Sequence, residues 1–424
     1  MSDPIQQISN LFVAKFREEL RGPRTIGREA EYTIVKENGE AANAFDILPK
    51  LRTTGNFKEL YDNAPNNKML VGLEGEQASY STEVGLGTIE VITGPCQNLF
   101  ELKERHENAV KPVLDICKEL KLKVLGYGIQ PKTPAIATLM SPKQRYQILL
   151  DVIGKDWLYF CITSSDQAQV DITRSEIIKL TNFGILMAPV VIAVCANSSV
   201  CGNDQGYICH REGLKKSIFP GERRHGMIDR PYSDVPDFVT RLAEKTCLML
   251  RKNGEYVAVN RPLIDVLGYL GADLESFLMH DHYFWNSARA RAAHSTVEIR
   301  PACQQPWKDH MVVSALVLGL IEAADEIQGL IDSELGSESW RILNDYHNEA
   351  VKFGLAAKQP KPGFLLNVIS HSYNALMKRG LGEEVFLKPI FDRLKEQLNP
   401  GQKAKKIFEA GGLKALIDSL TISA

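Results

Sequence analysis

Charged side chains recur on one face of several strand-like segments, and this pattern constrains the fold more than any other feature of the sequence. Glu29 and Glu31 lie two residues apart in an alternating segment, so an extended chain directs both carboxylates to the same face. Glu298 and Arg300 share a face in a second such segment, and apolar residues take the opposite face. The pattern predicts a sheet with one apolar and one charged face.

In a third segment Glu90 lies between two apolar residues, and Glu83 precedes it across a turn that contains Gly85 and Gly87. Close carboxylates repel each other and raise their pKa values unless a cation compensates them. Mg²⁺ takes one or two carboxylates together with substrate phosphates, and glycines allow a ligand to approach the backbone. The pattern therefore indicates a metal–phosphate site without choosing among kinases, phosphatases and ligases. The alternative is that each strand has a solvated face.

Helical segments mix with the strand-like ones without a strand–helix–strand rhythm, which favours an α+β fold with a mostly antiparallel sheet. Strand patterns cover residues 26–36, 69–94, 123–130, 168–172, 256–263 and 295–300. Helical patterns cover residues 4–21, 45–62, 99–122, 141–153, 175–197, 237–252 and nearly all of the chain from 307 onward. Residues 200–236, rich in Gly, Pro, Arg and His, predict a long functional loop. We expect a catalytic α+β domain over residues 1–310 and a helical region over 311–424 packed on it.

The charge balance excludes some classes of protein. The chain has 50 Lys and Arg against 52 Asp and Glu, a net charge of −2, so it has no general attraction to nucleic acid or to an anionic membrane. Its most apolar stretch, residues 183–196, is too short to span a bilayer and contains Pro189. The N-terminal residues lack a signal-peptide pattern, and the eight cysteines lack zinc-site spacing. We therefore expect a cytoplasmic protein with reduced thiols that binds neither nucleic acid nor membranes.

Short motifs follow one another between residues 26 and 301. They are IGREAE (26–31), EVGLGTIE (83–90), GYGIQPK (126–132), AQVD (168–171), ANSS (196–199), YICHR (207–211) and VEIRP (297–301). In their order and spacing they resemble the glutamate–cysteine ligase family of plants and many bacteria, which includes bacterial carboxylate–amine ligases. The chain departs from that family's pattern in two motifs. The second lacks a proline and has an extra residue between its glutamates, and Ser199 replaces a proline in the fifth.

The resemblance implies a glutamine-synthetase-like catalytic fold, in which a curved, mostly antiparallel sheet forms a funnel and helices pack on its outer face. It implies ATP and two or three Mg²⁺ ions, and it implies glutamate with cysteine or another amine as substrates. The γ-carboxylate of glutamate would be activated as an acyl phosphate and then joined to the amine. A homodimer is expected from the relatives.

The resemblance also implies residues for each role. Candidate metal ligands are Glu29, Glu31, Glu83, Glu90, Glu298 and, as a weaker ligand because it is an amide, Gln169. Candidate catalytic residues are Arg300, Arg211 and Glu298, and the two arginines would contact the γ-phosphate or the substrate carboxylates. Candidate substrate- or nucleotide-binding residues are Arg223, Arg224, Gln130, Asn197, Arg289 and Arg291. For the arginines, a surface salt bridge is the alternative interpretation.

Three other functions stay open at this point. A carboxylate–amine ligase with another acceptor amine or a glutamate-like donor would share the motifs. A guanidino phosphotransferase also surrounds ATP with arginines and carboxylates, but it makes no amide. The third is a non-catalytic nucleotide-binding relative. The retained glutamates argue against it, because loss of catalysis would relax the need for clustered charge.

Overall fold

The structure is a computed structural model that describes residues 3–64, 67–219 and 221–423. Its strands are β1 Ile26–Lys36, β2 Lys58–Ala64, β3 Asn67–Glu74, β4 Ala78–Thr82, β5 Thr88–Cys96, β6 Leu122–Leu125, β7 Asp166–Asp171, β8 His225–Gly226, β9 Thr246–Lys252, β10 Glu255–Pro262, β11 Trp285–Asn286, β12 Ala288–Arg291 and β13 Thr296–Ile299. Its α-helices are α1 Pro4–Ala14, α2 Leu48–Leu51, α3 Leu99–Glu119, α4 Gln144–Ile153, α5 Ile177–Leu186, α6 Ala188–Cys195, α7 His210–Gly213, α8 Val235–Ala243, α9 Leu263–Leu270, α10 Leu274–His282, α11 Val312–Glu322, α12 Ala324–Leu335, α13 Ser339–Phe353, α14 Phe364–Lys378, α15 Lys388–Glu396 and α16 Pro400–Leu420.

One large sheet dominates the described part of the chain. Its strands follow the order β12-β13-β7-β1-β5-β4-β3-β2, and β6 pairs with β1 beside this path. Every pair of neighbours in it is antiparallel. Two small sheets, β9–β10 and β8–β11, accompany it. The prediction of an α+β fold with a mostly antiparallel sheet is confirmed.

Helices cover the apolar face of the large sheet. In β1 the side chains of Ala30, Tyr32 and Ile34 are fully buried, and they share one core with Val110 and Val113 of α3. Alternation along the strand sends Glu29 and Glu31 to the opposite face. The packing of β1 against α3 therefore fixes the carboxylates on the face that helices leave open.

A buried ion pair joins two central strands on the helix-covered side. Arg28 of β1 donates from Nε and Nη2 to both carboxylate oxygens of Asp166 in β7, each at 2.8 Å, and neither side chain is exposed. Burial raises the pKa of Asp166, whereas Arg28 lowers it. Removing one partner would leave an uncompensated buried charge, so this pair holds the register of β1 and β7.

The helices after residue 310 pack on the same core. The α11 residues 312–321 are all buried, and this helix lies against β7 and α14. Buried residues of α11, α13, α14 and α15 belong to one apolar cluster with those of α1. The domain boundary at residue 310 stays a prediction.

The sequence misassigned two segments as helical. Of residues 45–62, only Leu48–Leu51 is α-helical; Gly55 ends the short helical stretch in an extended conformation, and the next residues join the sheet as β2. Of residues 237–252, the helix ends at Ala243 and β9 follows, paired with β10. The apolar run of β9 does not by itself distinguish a strand from a buried helix. The pairing with β10 decides for a strand, and a local sequence pattern does not show that pairing.

The helical segment 175–197 forms two helices rather than one. The stretches Arg174–Leu186 and Ala188–Cys195 are bent by 44° relative to each other, and Pro189 lies at the start of the second helix. Within the described ranges no single helix is long and apolar enough to cross a membrane; this bent pair meets the criterion only when its two helices are taken together.

Candidate active site

A deep cleft opens on the charged face of the large sheet. Its free space, including the open mouth, is about 1260 Å³. Strands β1, β5 and β12 form its floor, and its walls come from the 3₁₀ segment Lys155–Ile162, from α7 with the turn after it, and from the β8–β11 pair. Charged and aromatic side chains dominate its lining.

Four glutamates form a carboxylate strip along one side of the cleft: Glu29, Glu31, Glu83 and Glu90. Glu31 of β1 is directly opposite Glu90 of β5, so the two side chains share a face. Glu83 follows β4, which pairs with the other edge of β5. The structure thus brings together these four predicted metal ligands, although their role as ligands stays a prediction.

Burial and mutual repulsion act on the strip. Burial, followed by the charges of Glu83, Glu29 and Glu31, holds the pKa of Glu90 well above its usual range. Burial and the neighbouring Glu31 raise the pKa of Glu83 to about 7. Burial and Glu298 also raise the pKa of Glu29. A cation between these groups would relieve the repulsion.

Glu298 has a different environment, the arginine cluster. It is fully buried on β13, directly opposite Arg289 of β12, and accepts from Arg289 Nη2 at 3.2 Å. Arg291 Nη1 lies 3.4 Å from both carboxylate oxygens, and Arg300 Nη1 donates to Oε2. Burial alone would raise the pKa of Glu298, but the three arginines outweigh it and hold the pKa well below its usual range. The structure therefore gives Glu298 three charged partners from the protein itself.

Gln169 of β7 links the two regions. Its Nε2 donates to Glu29 Oε1 at 2.6 Å and lies 3.5 Å from Glu298 Oε1. Its Oε1 accepts from the Thr296 hydroxyl at 3.1 Å. The amide thus bridges the carboxylates of β1 and β13, and its role as a weaker metal ligand stays a prediction.

Arg211 lines the cleft, and its catalytic role stays a prediction. This side chain of α7 is buried and donates from Nη1 to the neighbouring Glu212. His225 Nε2 lies 3.4 Å from the second oxygen of Glu212. Burial and the charges of Lys215 and Arg211 hold the pKa of His225 well below its usual range, so this contact involves a neutral imidazole.

A second part of the cleft lining was missed by the sequence reasoning. Its aromatic wall consists of Trp157, Phe160 and Trp285, whose ring centroids lie 4.7 to 5.8 Å apart. The cations of this side are Arg145, which donates from Nη2 to the Tyr146 hydroxyl at 3.1 Å, and Lys215. These residues come from separate loops and short helices. The only sequence signal was the concentration of aromatic and basic residues in those segments.

Four predicted binding residues lie outside this cleft. Gln130 and Asn197 are fully buried, and their side-chain amides donate to backbone carbonyls, Gln130 to that of Gly87 at 2.8 Å. Arg224 is also fully buried and donates to Glu222 and to backbone carbonyls. Arg223 is exposed and pairs with Asp229. All four side chains contact other parts of the protein, and their binding roles stay predictions.

The glycines of the second motif also serve packing. A Cβ at Gly85 would lie 1.8 Å from the carbonyl oxygen of Cys161, and one at Gly87 would lie 2.4 Å from Gln130 Nε2. We expected these glycines to admit a ligand to the backbone. Instead, the Cys161 carbonyl and the Gln130 side chain pack against these glycines and hold the turn between Glu83 and Glu90 in place.

The carboxylate strip fits a divalent cation that shares its ligands with phosphate. Within the described ranges, no group of three His, Cys, Asp or Glu side chains converges closely enough to hold a metal ion alone. Mg²⁺, however, usually binds through one or two carboxylates and completes its shell with waters and substrate phosphates. The carboxylates of Glu83 and Glu90 suit this mode, because their pKa values are raised and neither forms an ion pair among the described residues.

Comparisons with known proteins agree with this architecture. The model of the family described as glutamate–cysteine ligase family 2 matches residues 25–363. The chloroplastic glutamate–cysteine ligase A of Oryza sativa subsp. indica is 20% identical over 377 residues, which cover 82% of this chain and 74% of the relative. The chloroplastic glutamate–cysteine ligase of Arabidopsis thaliana is 21% identical over 406 residues, covering 90% and 76%.

Solved structures show the same fold at low identity. The glutamate–cysteine ligase of Francisella tularensis in complex with AMP aligns with a TM-score of 0.54 and 11% identity, covering 96% of this chain and 88% of that one. The bifunctional glutathione synthetase of Pasteurella multocida aligns with a TM-score of 0.52 and 13% identity, covering 98% and 52%. Because the family match spans most of the sequence and the fold agrees, the chain belongs to glutamate–cysteine ligase family 2.

Proposed function

We propose that the protein is an ATP-dependent, ADP-forming ligase that joins the γ-carboxylate of glutamate to the amine of cysteine. The family match supports the reaction. The single observation that carries the proposal is that one cleft combines the carboxylate strip, whose Glu83 and Glu90 form no ion pair among the described residues, with a set of buried cations. Such a cleft suits a substrate pair that consists of metal-bound phosphates and a carboxylate.

The reaction proceeds in two balanced steps. An oxygen of the γ-carboxylate attacks the γ-phosphorus of ATP, the bond between the β-γ bridging oxygen and that phosphorus breaks, and ADP leaves with the electron pair. The amine nitrogen then attacks the acyl carbon, the bond from that carbon to the phosphate oxygen breaks, phosphate leaves, and the nitrogen loses a proton. The first step depends mainly on charge neutralisation and in-line positioning.

The residues of the cleft divide this work. Glu29, Glu31, Glu83 and Glu90 would hold two or three Mg²⁺ ions, which when bound neutralise the charge that develops on the phosphates. Arg291 and Arg300 would orient the γ-phosphate or the donor carboxylate with their planar guanidinium groups. Arg291 Nη2 lies 3.8 Å from Glu29 Oε1, so these arginines already adjoin the strip.

The proposal extends to the setting of the protein. We infer a cytoplasmic protein that acts as a homodimer on small-molecule substrates, without nucleic acid or membrane partners; the plant relatives carry chloroplastic names. The near-neutral charge of the chain supports the absence of nucleic-acid binding. Analytical ultracentrifugation tests the dimer, and a monomer at micromolar concentration would contradict it.

One assay tests the reaction. The protein is incubated with ATP, Mg²⁺, glutamate and each of a panel of amines, and nucleotide and amide products are quantified. We expect one ADP per γ-glutamylcysteine. Formation of AMP would contradict the acyl-phosphate route. ADP formation with another amine but not with cysteine would mean that this other amine is the acceptor. A phosphorylated acceptor without amide would indicate a phosphotransferase.

A further inference from the structure

Lys215 is a buried cation of the cleft that has no anionic partner. It lies in the 3₁₀ turn Leu214–Ser217 directly after α7, lines the cleft, and is only 4% exposed. Its Nζ lies 4.4 Å from the centroid of the Phe160 ring. In the part of the chain that the structure describes, this ammonium group forms no hydrogen bond and no ion pair.

The nearest acidic side chains are already engaged elsewhere. Glu212 pairs with Arg211 and contacts His225. Glu31 accepts from the Ser165 amide at 2.7 Å. Burial and the charge of Arg211 lower the pKa of Lys215 to about 7, because they outweigh the two carboxylates, which raise it. A lysine in this position is costly unless an anion arrives with a ligand.

The other cations of the cleft are bonded within the protein: Arg145 lacks an acidic partner among the described residues but donates to a tyrosine hydroxyl, and Arg211 pairs with its neighbouring glutamate. The arginine cluster is committed to Glu298, and it adjoins the carboxylate strip, where metal-bound phosphates fit. Lys215 instead lies against the aromatic wall. An anion bound here would be attached to an apolar group that packs on Phe160 and Trp285. A carboxylate next to a small side chain meets that description, and a thiol packs favourably on aromatic rings.

We propose that Lys215 binds the carboxylate of the acceptor amino acid while the aromatic wall packs against its side chain. This inference rests on the proposed ligase function and deepens it, because it names the residue that recognises the carboxylate of the acceptor. A compact ammonium group is suited to a single carboxylate oxygen. Amines without a carboxylate would leave Lys215 buried and unpaired, so the cleft would select against them.

The test compares L-cysteine with cysteamine, which lacks the carboxylate, in the wild type and in Lys215→Met. We expect the wild type to prefer L-cysteine, and we expect Lys215→Met to raise the KM for L-cysteine by roughly 10- to 100-fold, as for a lost hydrogen bond to a charged group. The KM values for ATP and glutamate and the kcat/KM for cysteamine should stay within about twofold. Lys215→Arg should restore part of the preference for L-cysteine.

Lys216→Met is the matched control. Lys216 is the adjacent residue, is exposed, and donates to Asn348 Oδ1 at 2.8 Å away from the cleft. We expect this variant to behave as the wild type with both amines. Circular dichroism checks folding; if Lys215→Met fails to fold, the preference of the wild type and its change in Lys215→Arg decide the matter.

Other outcomes would overturn the inference. A selective rise in the KM for ATP or glutamate would assign Lys215 to the nucleotide or the donor. Equal losses with both amines, or equal use of both amines by an active wild type, would overturn this inference alone. No ADP with any amine would overturn the proposed function, and this inference with it.

Discussion

The carboxylate strip and the arginine cluster use the same side chain on the same sheet with opposite results. Glu298 is surrounded by three arginines, which hold its pKa well below the usual range. Glu83 and Glu90 form no ion pair within the described residues, and their pKa values are raised. The carboxylate of the cluster is therefore fully compensated without a ligand, and its three arginines keep an excess of positive charge for an anionic one. The strip is incomplete, and it carries a repulsion that a bound cation would relieve.

The largest expected effect comes from removing the carboxylate of the arginine cluster. Glu298→Gln leaves three buried or partly buried arginines without their carboxylate, so we expect the free energy of unfolding to fall by about 3 to 5 kcal/mol. Urea denaturation measures this change, with Glu90→Gln as the matched control in the strip. Equal stability of Glu298→Gln and wild type would show that the cluster is not a structural unit.

The second prediction concerns the loss of one carboxylate from the carboxylate strip. Glu90→Gln removes a repelling charge, so the metal-free protein should be at least as stable as the wild type. Turnover with ATP and Mg²⁺ should nevertheless fall by about 100-fold or more, because a metal ligand is lost. ADP formation measures turnover, and thermal melts of the same preparation without metal measure stability. Near-normal turnover would remove Glu90 from the metal site.

The third prediction uses pH to sharpen the contrast. The folded-state pKa of Glu83 is raised to about 7, above its ordinary value of 4.5, so the folded protein binds more protons than the unfolded chain between these values. Burying this carboxyl therefore destabilises the fold least at low pH, where it is protonated. The free energy of unfolding falls as pH rises through about 7 and the carboxyl ionises.

Without divalent cations, Glu83→Gln should accordingly gain stability relative to the wild type between about pH 5 and about pH 8. Buried histidines with lowered pKa values, such as His106 and His347, are common to both proteins and cancel in the difference. Melting curves at each pH provide the measurement. A difference that stays constant or shrinks with pH would contradict the raised pKa.

The smallest expected effect concerns the link between the two regions. Gln169→Met removes the amide that donates to Glu29 and approaches Glu298. We expect a loss of stability of about 1 kcal/mol, the typical value for one hydrogen bond, together with weaker coupling between the two carboxylates. A double-mutant cycle of Gln169→Met and Glu29→Gln isolates the coupling between Gln169 and Glu29. Full additivity would mean that Gln169 does not join the regions.

The sequence predicted the sheet and its charged face because alternation is a local property of a strand. Glu29, Glu31 and Glu90 reach the cleft for that reason alone. The aromatic wall and Lys215 were not predicted, because their positions depend on how distant loops meet. Gln130 and Asn197 lie in matching motifs yet support backbone, since a motif does not distinguish packing from binding.

Binding of an ATP analogue tests the central claim most directly, namely that the carboxylate strip is the metal–nucleotide side of the cleft. A non-hydrolysable analogue is titrated calorimetrically into wild type, Glu90→Gln and Lys216→Met, with and without Mg²⁺. We predict Mg²⁺-dependent binding by wild type and Lys216→Met, weakened by about 100-fold in Glu90→Gln. Binding that is independent of Mg²⁺, or equally tight in Glu90→Gln, would contradict this account.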